Sequence, residues 1–83
     1  MLNLKIITPQ GTICSEQVEK ISLPSVSGRF MVLKNHAPII AMLDCGEVIY
    51  TTTDGKEHSC TIQDGFARVK DNNVYLTVEL INR

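Results

Sequence analysis

Apolar side chains recur at every second position in several segments of this chain, and nowhere do they sustain the 3.6-residue spacing of a helix. Leu2, Leu4 and Ile6 alternate with Asn3 and Lys5. Near the other end Val74, Leu76, Val78 and Leu80 alternate with Tyr75, Thr77 and Glu79. Turn signals punctuate the intervals: Pro9-Gln10-Gly11-Thr12, Asp44-Cys45-Gly46, Asp54-Gly55 and Asp71-Asn72-Asn73. Short strands between turns about eight to twelve residues apart predict an all-β sandwich or barrel. We expect antiparallel strands in two packed layers, with Leu4, Ile6, Val18, Val32, Val74, Leu76 and Val78 buried.

Individual segments sharpen this expectation. Residues 18–23 read as a strand with Glu19, Ile21 and Leu23 on one side, ended by Pro24, which cannot donate to a ladder. Residues 39–43 are apolar on both sides and suit a strand covered on both faces. Val48, Tyr50 and Thr52 share one side of the next strand. Asp54-Gly55 is the strongest hairpin signal, because Asp-Gly readily adopts a type I′ turn. His58, Cys60 and Ile62 line one face of the returning strand, which Asp64-Gly65 breaks or bulges.

With 83 residues the chain supports one small domain, residues 1–83. A hydrophobic fraction of 43% with no Trp, two Phe and two Tyr gives one mainly aliphatic core. A net charge of −1 and scattered basic residues leave no electrostatic footprint for nucleic acid. No apolar run approaches the ~20 residues of a spanning helix, and the N-terminus lacks a signal-peptide stretch. The chain reads as soluble and cytosolic. Cys14, Cys45 and Cys60 are an odd number without C-x-x-C spacing, which speaks against a disulfide framework or a common zinc site.

Candidate chemistry is thin. His36 could act as a base or ligand, yet no acidic partner lies near it in sequence, which favours a structural or interface role. His58 and Cys60 share a strand face as two metal ligands would, but two ligands do not close a tetrahedral site. Ser25 and Ser27 lack the context of a nucleophile elbow, and Gly28 stands outside any phosphate-loop pattern. The turn aspartates suit bonds to their own backbone. We therefore expect no catalytic residue, cofactor or metal. Ile7, Met31, Leu33, Ile49 and Ile81 sit opposite the inward residues of their strands; they are either scattered surface hydrophobes or a protein-binding face.

The segment PSVSGRFMVLKNHAP, residues 24–38, is the most distinctive. Gly28 permits a positive φ, residues 30–33 read as a short strand, and Pro38 biases Ala37 away from helix at a rim. Its order and spacing resemble the signature P-G-x-x-G-x-F-x-V-L-P-x-H-A-P of the epsilon subunit of F-type ATP synthases. The opening LNLKIITPQGTI resembles that family's L-x-x-x-I-x-T-P-x-G start. LDCGE at residues 43–47 resembles its L-x-P-G-x turn, and DGFARVKDNNV at residues 64–74 its G-G-F-x-x-V-x-x-N-x-V motif.

This resemblance implies a flattened antiparallel β-sandwich in the rotor's central stalk, held between the gamma subunit and the membrane c-ring on the cytoplasmic face of the bacterial inner membrane. It implies assembly and torque coupling in a proton- or sodium-translocating complex, without catalysis. By carry-over, Thr8, His36 and Ala41 are expected to face gamma, and Gly28 and Arg29 to form the tip that meets the c-ring, with Arg29 reaching beyond the sandwich. Ser25, Lys34, Cys45 and Asp64 depart from the family pattern of Gly, Pro, Pro and Gly. Many members continue into a carboxy-terminal helical hairpin; ending at Arg83, the chain is expected to be a short form without nucleotide site. The competing readings are a free-standing β-barrel that binds a peptide or oligonucleotide, and a metal-dependent activity at His36, His58 and Cys60. The former would want exposed aromatics interleaved with basic residues, whereas only Tyr50 and Tyr75 are available.

Overall fold

The computed structural model describes residues 1–81, which form seven strands and no helix. These are β1 (Leu2–Thr8), β2 (Gly11–Ser25), β3 (Gly28–Val32), β4 (Ile39–Leu43), β5 (Gly46–Thr52), β6 (Glu57–Lys70) and β7 (Asn73–Leu80). Local chemistry sets the reversals. At the β1–β2 turn the Thr8 hydroxyl accepts from the Gln10 N–H at 3.2 Å and donates to the Gly11 carbonyl at 3.1 Å. Asp71 and Asn72 both adopt positive φ, 51° and 62°, between the paired Lys70 and Asn73. That is the type I′ turn, and it stands here rather than at Asp54-Gly55. There only Gly55 is left-handed, at φ 83°, and its N–H donates to the Thr52 carbonyl at 2.9 Å. The hairpin forms where expected, but through a longer loop in which Asp54 accepts from the Thr52 hydroxyl and the Lys56 N–H.

The long strands β2 and β6 each serve both layers. The first half of β2 pairs with β1 and its second half with β3 and β5. Likewise β6 pairs first with β5, then with β4 and β7. A parallel pairing of β1 with β7 closes the ring β1–β2–β5–β6–β7, the one exception to antiparallel order among the described residues. Two register shifts fall where the long strands change layer, between Val18 and Lys20 and between Ile62 and Asp64, and a third lies in the β1–β2 pairing, where Ile13 is skipped between Ile6 and Ile7. Such bulges sharpen bend and twist. The result is a flattened sandwich, 33 × 26 × 19 Å.

Between the layers lies an aliphatic core that includes all seven residues expected to be buried, with Leu2, Ile21, Leu23, Leu43, Val48 and Ile62 beside them. Each such side chain stabilises the fold by about 1.5–3 kcal/mol relative to exposure. Phe30 and Tyr50 only lean against it. Several expectations need correction. Pro24 does not end its strand: β2 runs on to Ser25, and Pro24 lies opposite Arg29. Glu19 does not share a side with Ile21 and Leu23, because the bulge at Val18–Lys20 throws it outward. Nor is β4 covered on both faces, since Ile40 and Met42 point into solvent. Leu80, at the end of β7, is partly exposed rather than buried.

Candidate functional site

Register decides which side chains share the outer face of the layer made by β4, the second half of β6, β7 and β1. Paired residues on neighbouring strands project to the same side. One row runs Met42, Phe66, Thr77 and Ile7; the next runs Ile40, Arg68, Tyr75 and Lys5. Leu4, Ile6, Ala67, Val69, Val74 and Leu76, at the alternate positions, fill the core. Ile40 is 76% exposed, Phe66 55%, Met42 54% and Tyr75 44%. Large apolar side chains gathered on one face mark an interaction surface more often than chance scatter does. Ile40, Phe66, Arg68, Lys70 and Tyr75 line an open hollow over this face.

The loop between β3 and β4 borders the face. Asn35, at φ 65°, donates its N–H to the Asn72 side-chain oxygen at 2.6 Å, and the Asn72 amide donates back to Asn35 Oδ1 at 3.2 Å. This clasp fixes the loop to the β6–β7 turn. His36 stands within it, its Nδ1–H donating to the Ala37 carbonyl at 2.7 Å and its ring 6.4 Å from that of Phe30.

At the opposite end of β3, Gly28 has φ 117°, as the turn requires. The Ser25 hydroxyl closes that turn, donating to the Gly28 carbonyl at 2.6 Å and accepting from the Ser27 N–H at 3.1 Å. Serine in place of glycine thus braces the tip. Cys45 in place of proline has an N–H, which it donates to the Asp44 carboxylate at 2.8 Å. Arg29 does not reach outward. Its guanidinium donates to Ser22 Oγ at 2.9 Å and to the Glu47 carbonyl at 2.7 Å, lying back over β2 toward β5. The exposed apolar side chain at the tip is Val26.

The other expected site residues separate. Thr8 and Ala41 point inward: Thr8 is 5% exposed and Ala41 packs against the core. The outward positions beside them are Ile7, Ile40 and Met42, one residue away in each case. The set Ile7, Met31, Leu33, Ile49 and Ile81 does not form one face. Ile7 belongs to the outer layer described above, whereas Met31 and Ile49 lie on either side of Ser22 in the other layer. Sequence reasoning kept Tyr75 as an exposed aromatic, took Ile40 and Met42 as covered, and gave Phe66 no role. The signal was parity: Tyr75 lies between buried Val74 and Leu76, Met42 and Phe66 each adjoin one buried residue (Leu43 and Ala67), and Ile40 lies between Ile39 and Ala41, which are half-buried against the core.

Chemistry elsewhere is muted. His58 stacks on Tyr50 with ring centroids 5.3 Å apart, and it does not meet His36. Among the described residues no three His, Cys, Asp or Glu side chains gather as metal donors. Burial pushes the Cys14 and Cys60 thiols above the ordinary thiol range, against a smaller lowering of Cys14 by its bond with Tyr50. Burial, then the bond to Cys14, raises the Tyr50 hydroxyl as well. Protonated groups that are buried, like Cys14, or half-buried, like Cys60, are poor nucleophiles.

Comparison with known proteins places this geometry. The sequence matches the family described as ATP synthase, Delta/Epsilon chain, beta-sandwich domain, over residues 1–83. It is 37% identical over 82 residues to the ATP synthase epsilon chain of Desulfosudis oleivorans, covering 99% of this chain and 62% of that one. With the ATP synthase epsilon chain of Nitratidesulfovibrio vulgaris it shares 38% over 82 residues, covering 99% and 60%. The chain thus spans about three fifths of these relatives' length. A chain of the Euglena gracilis mitochondrial ATP synthase, solved as OSCP/F1/c-ring, superposes with a TM-score of 0.88 at 25% identity, covering 93% of this chain and 49% of its own. One from the Tetrahymena thermophila mitochondrial central stalk and c-ring shares the fold, with a TM-score of 0.79 at 12% identity over 94% and 63%.

Proposed function

Since the chain belongs to the ATP synthase delta/epsilon β-sandwich family, we propose that it is an epsilon-type domain, residues 1–83, of the rotor's central stalk. It links the gamma subunit to the membrane c-ring of a membrane-associated F-type ATP synthase, on the cytoplasmic side. Its work is assembly and torque transmission, without chemistry of its own. The observation that carries this reading is the outer face on which four large apolar side chains, Ile40, Met42, Phe66 and Tyr75, stand exposed together, bordered by the braced loop of His36. We assign gamma to that face. The family's gamma-facing positions Thr8 and Ala41 then set its backbone frame from the inner side, with Ile7, Ile40 and Met42 making contact. At the Gly28 turn, Val26 and Ser27 form the c-ring tip, and Arg29 holds its shape.

Affinity purification of the tagged, full-length protein from its native membranes tests the proposal. Gamma and the c-ring are expected in the eluate, retained by wild type and depleted by Phe66→Ser. Recovery of neither subunit with the wild-type protein would overturn it.

A further inference from the structure

We propose that Arg68 is the specificity-determining residue of the outer face, and that the gamma segment covering it presents a carboxylate set among apolar side chains. The inference rests on the reading of this face as the gamma-docking surface. Arg68 is paired with Ile40 on one side and Tyr75 on the other, and Phe66 precedes it by one pleat on the same face. Its nearest outward neighbours of like charge are Lys70, one pleat further along β6, and Lys5, beyond Tyr75. Asp71 is the one acidic side chain lining the hollow, at its edge in the β6–β7 turn. Arg29 is bonded twice within the sheet; Arg68 has no hydrogen-bond partner among the described residues and stands exposed.

In water that exposure is harmless. Once a partner covers Ile40, Phe66 and Tyr75, the guanidinium between them is also taken from water. A desolvated charge left unpaired is strongly unfavourable, and its N–H donors must be met. A carboxylate meets a guanidinium through two parallel bonds and offsets the charge, which no purely apolar surface can do. Lys5 and Lys70 add to the same field. The end of the face around Arg68 is therefore complementary to an acidic, apolar segment, whereas the paired Asp64 and Glu79 beyond Phe66 and Thr77 give the far end the opposite sign. Wrong partners with bare apolar or basic surfaces are rejected by the same residue.

The test is direct titration of the isolated gamma subunit of the same enzyme into the full-length protein at low and high salt. Wild type, Phe66→Ser, Arg68→Met and Arg68→Glu are compared, with circular dichroism confirming that each is folded. Arg68→Glu is expected to weaken binding at least about tenfold at low salt. Arg68→Met is expected to weaken it and to flatten its salt dependence. An acidic-to-lysine substitution in gamma that restores binding to Arg68→Glu would identify the partner carboxylate. If Phe66→Ser weakens binding while Arg68→Met binds as wild type or tighter, the docking face stands and the role of Arg68 is overturned. If wild type itself does not bind gamma, both fall together.

Discussion

Arg29 donates to the Ser22 hydroxyl on β2 and to the Glu47 carbonyl on β5, so one side chain ties three strands across the outer surface. Removing it with Arg29→Ala deletes both bonds, and a loss of about 1 kcal/mol is expected because the group remains partly in water. Urea unfolding measures this, and an unchanged midpoint would mean that the clamp contributes nothing. Cys14, Cys60 and Tyr50 make a second residue-scale prediction. Burial raises all three above their ordinary values, so the folded state holds these protons more tightly than the unfolded chain. Their contribution to stability is complete below the ordinary thiol value of 9.0 and declines as pH rises past it. The urea midpoint should fall between about pH 8 and pH 10.5, and Tyr50→Phe combined with Cys14→Ser and Cys60→Ser should flatten that fall. A wild-type midpoint constant over the range would contradict the assignment.

Among the elements, strands were legible in the sequence because one buried face imposes a period of two, and reversals because Pro, Gly, Asn and Asp mark them. Bulges were legible only in part. Asp64-Gly65 signalled the one just before it, at Gln63, but nothing advertised those at Ile13 and at Val18-Glu19-Lys20, and the parity of Glu19 was misjudged by one position. Turn type was similarly ambiguous, since Asp-Gly and Asp-Asn both tolerate positive φ and only the strand register selects between a type I′ turn and a longer loop. Gly65, regularly paired just after the bulge at Gln63, has a steric reason to be glycine. A Cβ there would collide with the Thr77 carbonyl and press against Val78 Cγ1. Gly65→Ala should therefore cost about 1–3 kcal/mol through displaced β7 backbone, read as a lower unfolding midpoint. Gly28→Ala meets no neighbour and should strain only its own positive φ. Equal effects from the two substitutions would argue against the packing account.

For the whole molecule, alternation predicts two layers but is silent on which strands adjoin. Closure of the ring by the parallel β1–β7 pair joins the two ends of the strand order, a long-range choice that local patterning does not encode. The same pairing assembles the candidate face, since Lys5 and Ile7 meet Tyr75 and Thr77 only there. Ile40, Met42 and Phe66 each look unremarkable in sequence and become a surface once β4 and β6 are side by side. The positions that the resemblance carried over as gamma-facing, Thr8 and Ala41, lie on β1 and β4 of this face with their side chains turned inward. The central claim is that this face, and not the opposite one, docks the gamma subunit. Site-directed photo-cross-linking in the assembled ATP synthase tests it most directly. A benzophenone label is attached at Met42→Cys on this face or at Ser59→Cys on the opposite layer, each in a Cys45→Ser background that removes the exposed native thiol. The label at residue 42 should cross-link to gamma and that at residue 59 should not. Cross-links to gamma from residue 59 alone would contradict the account.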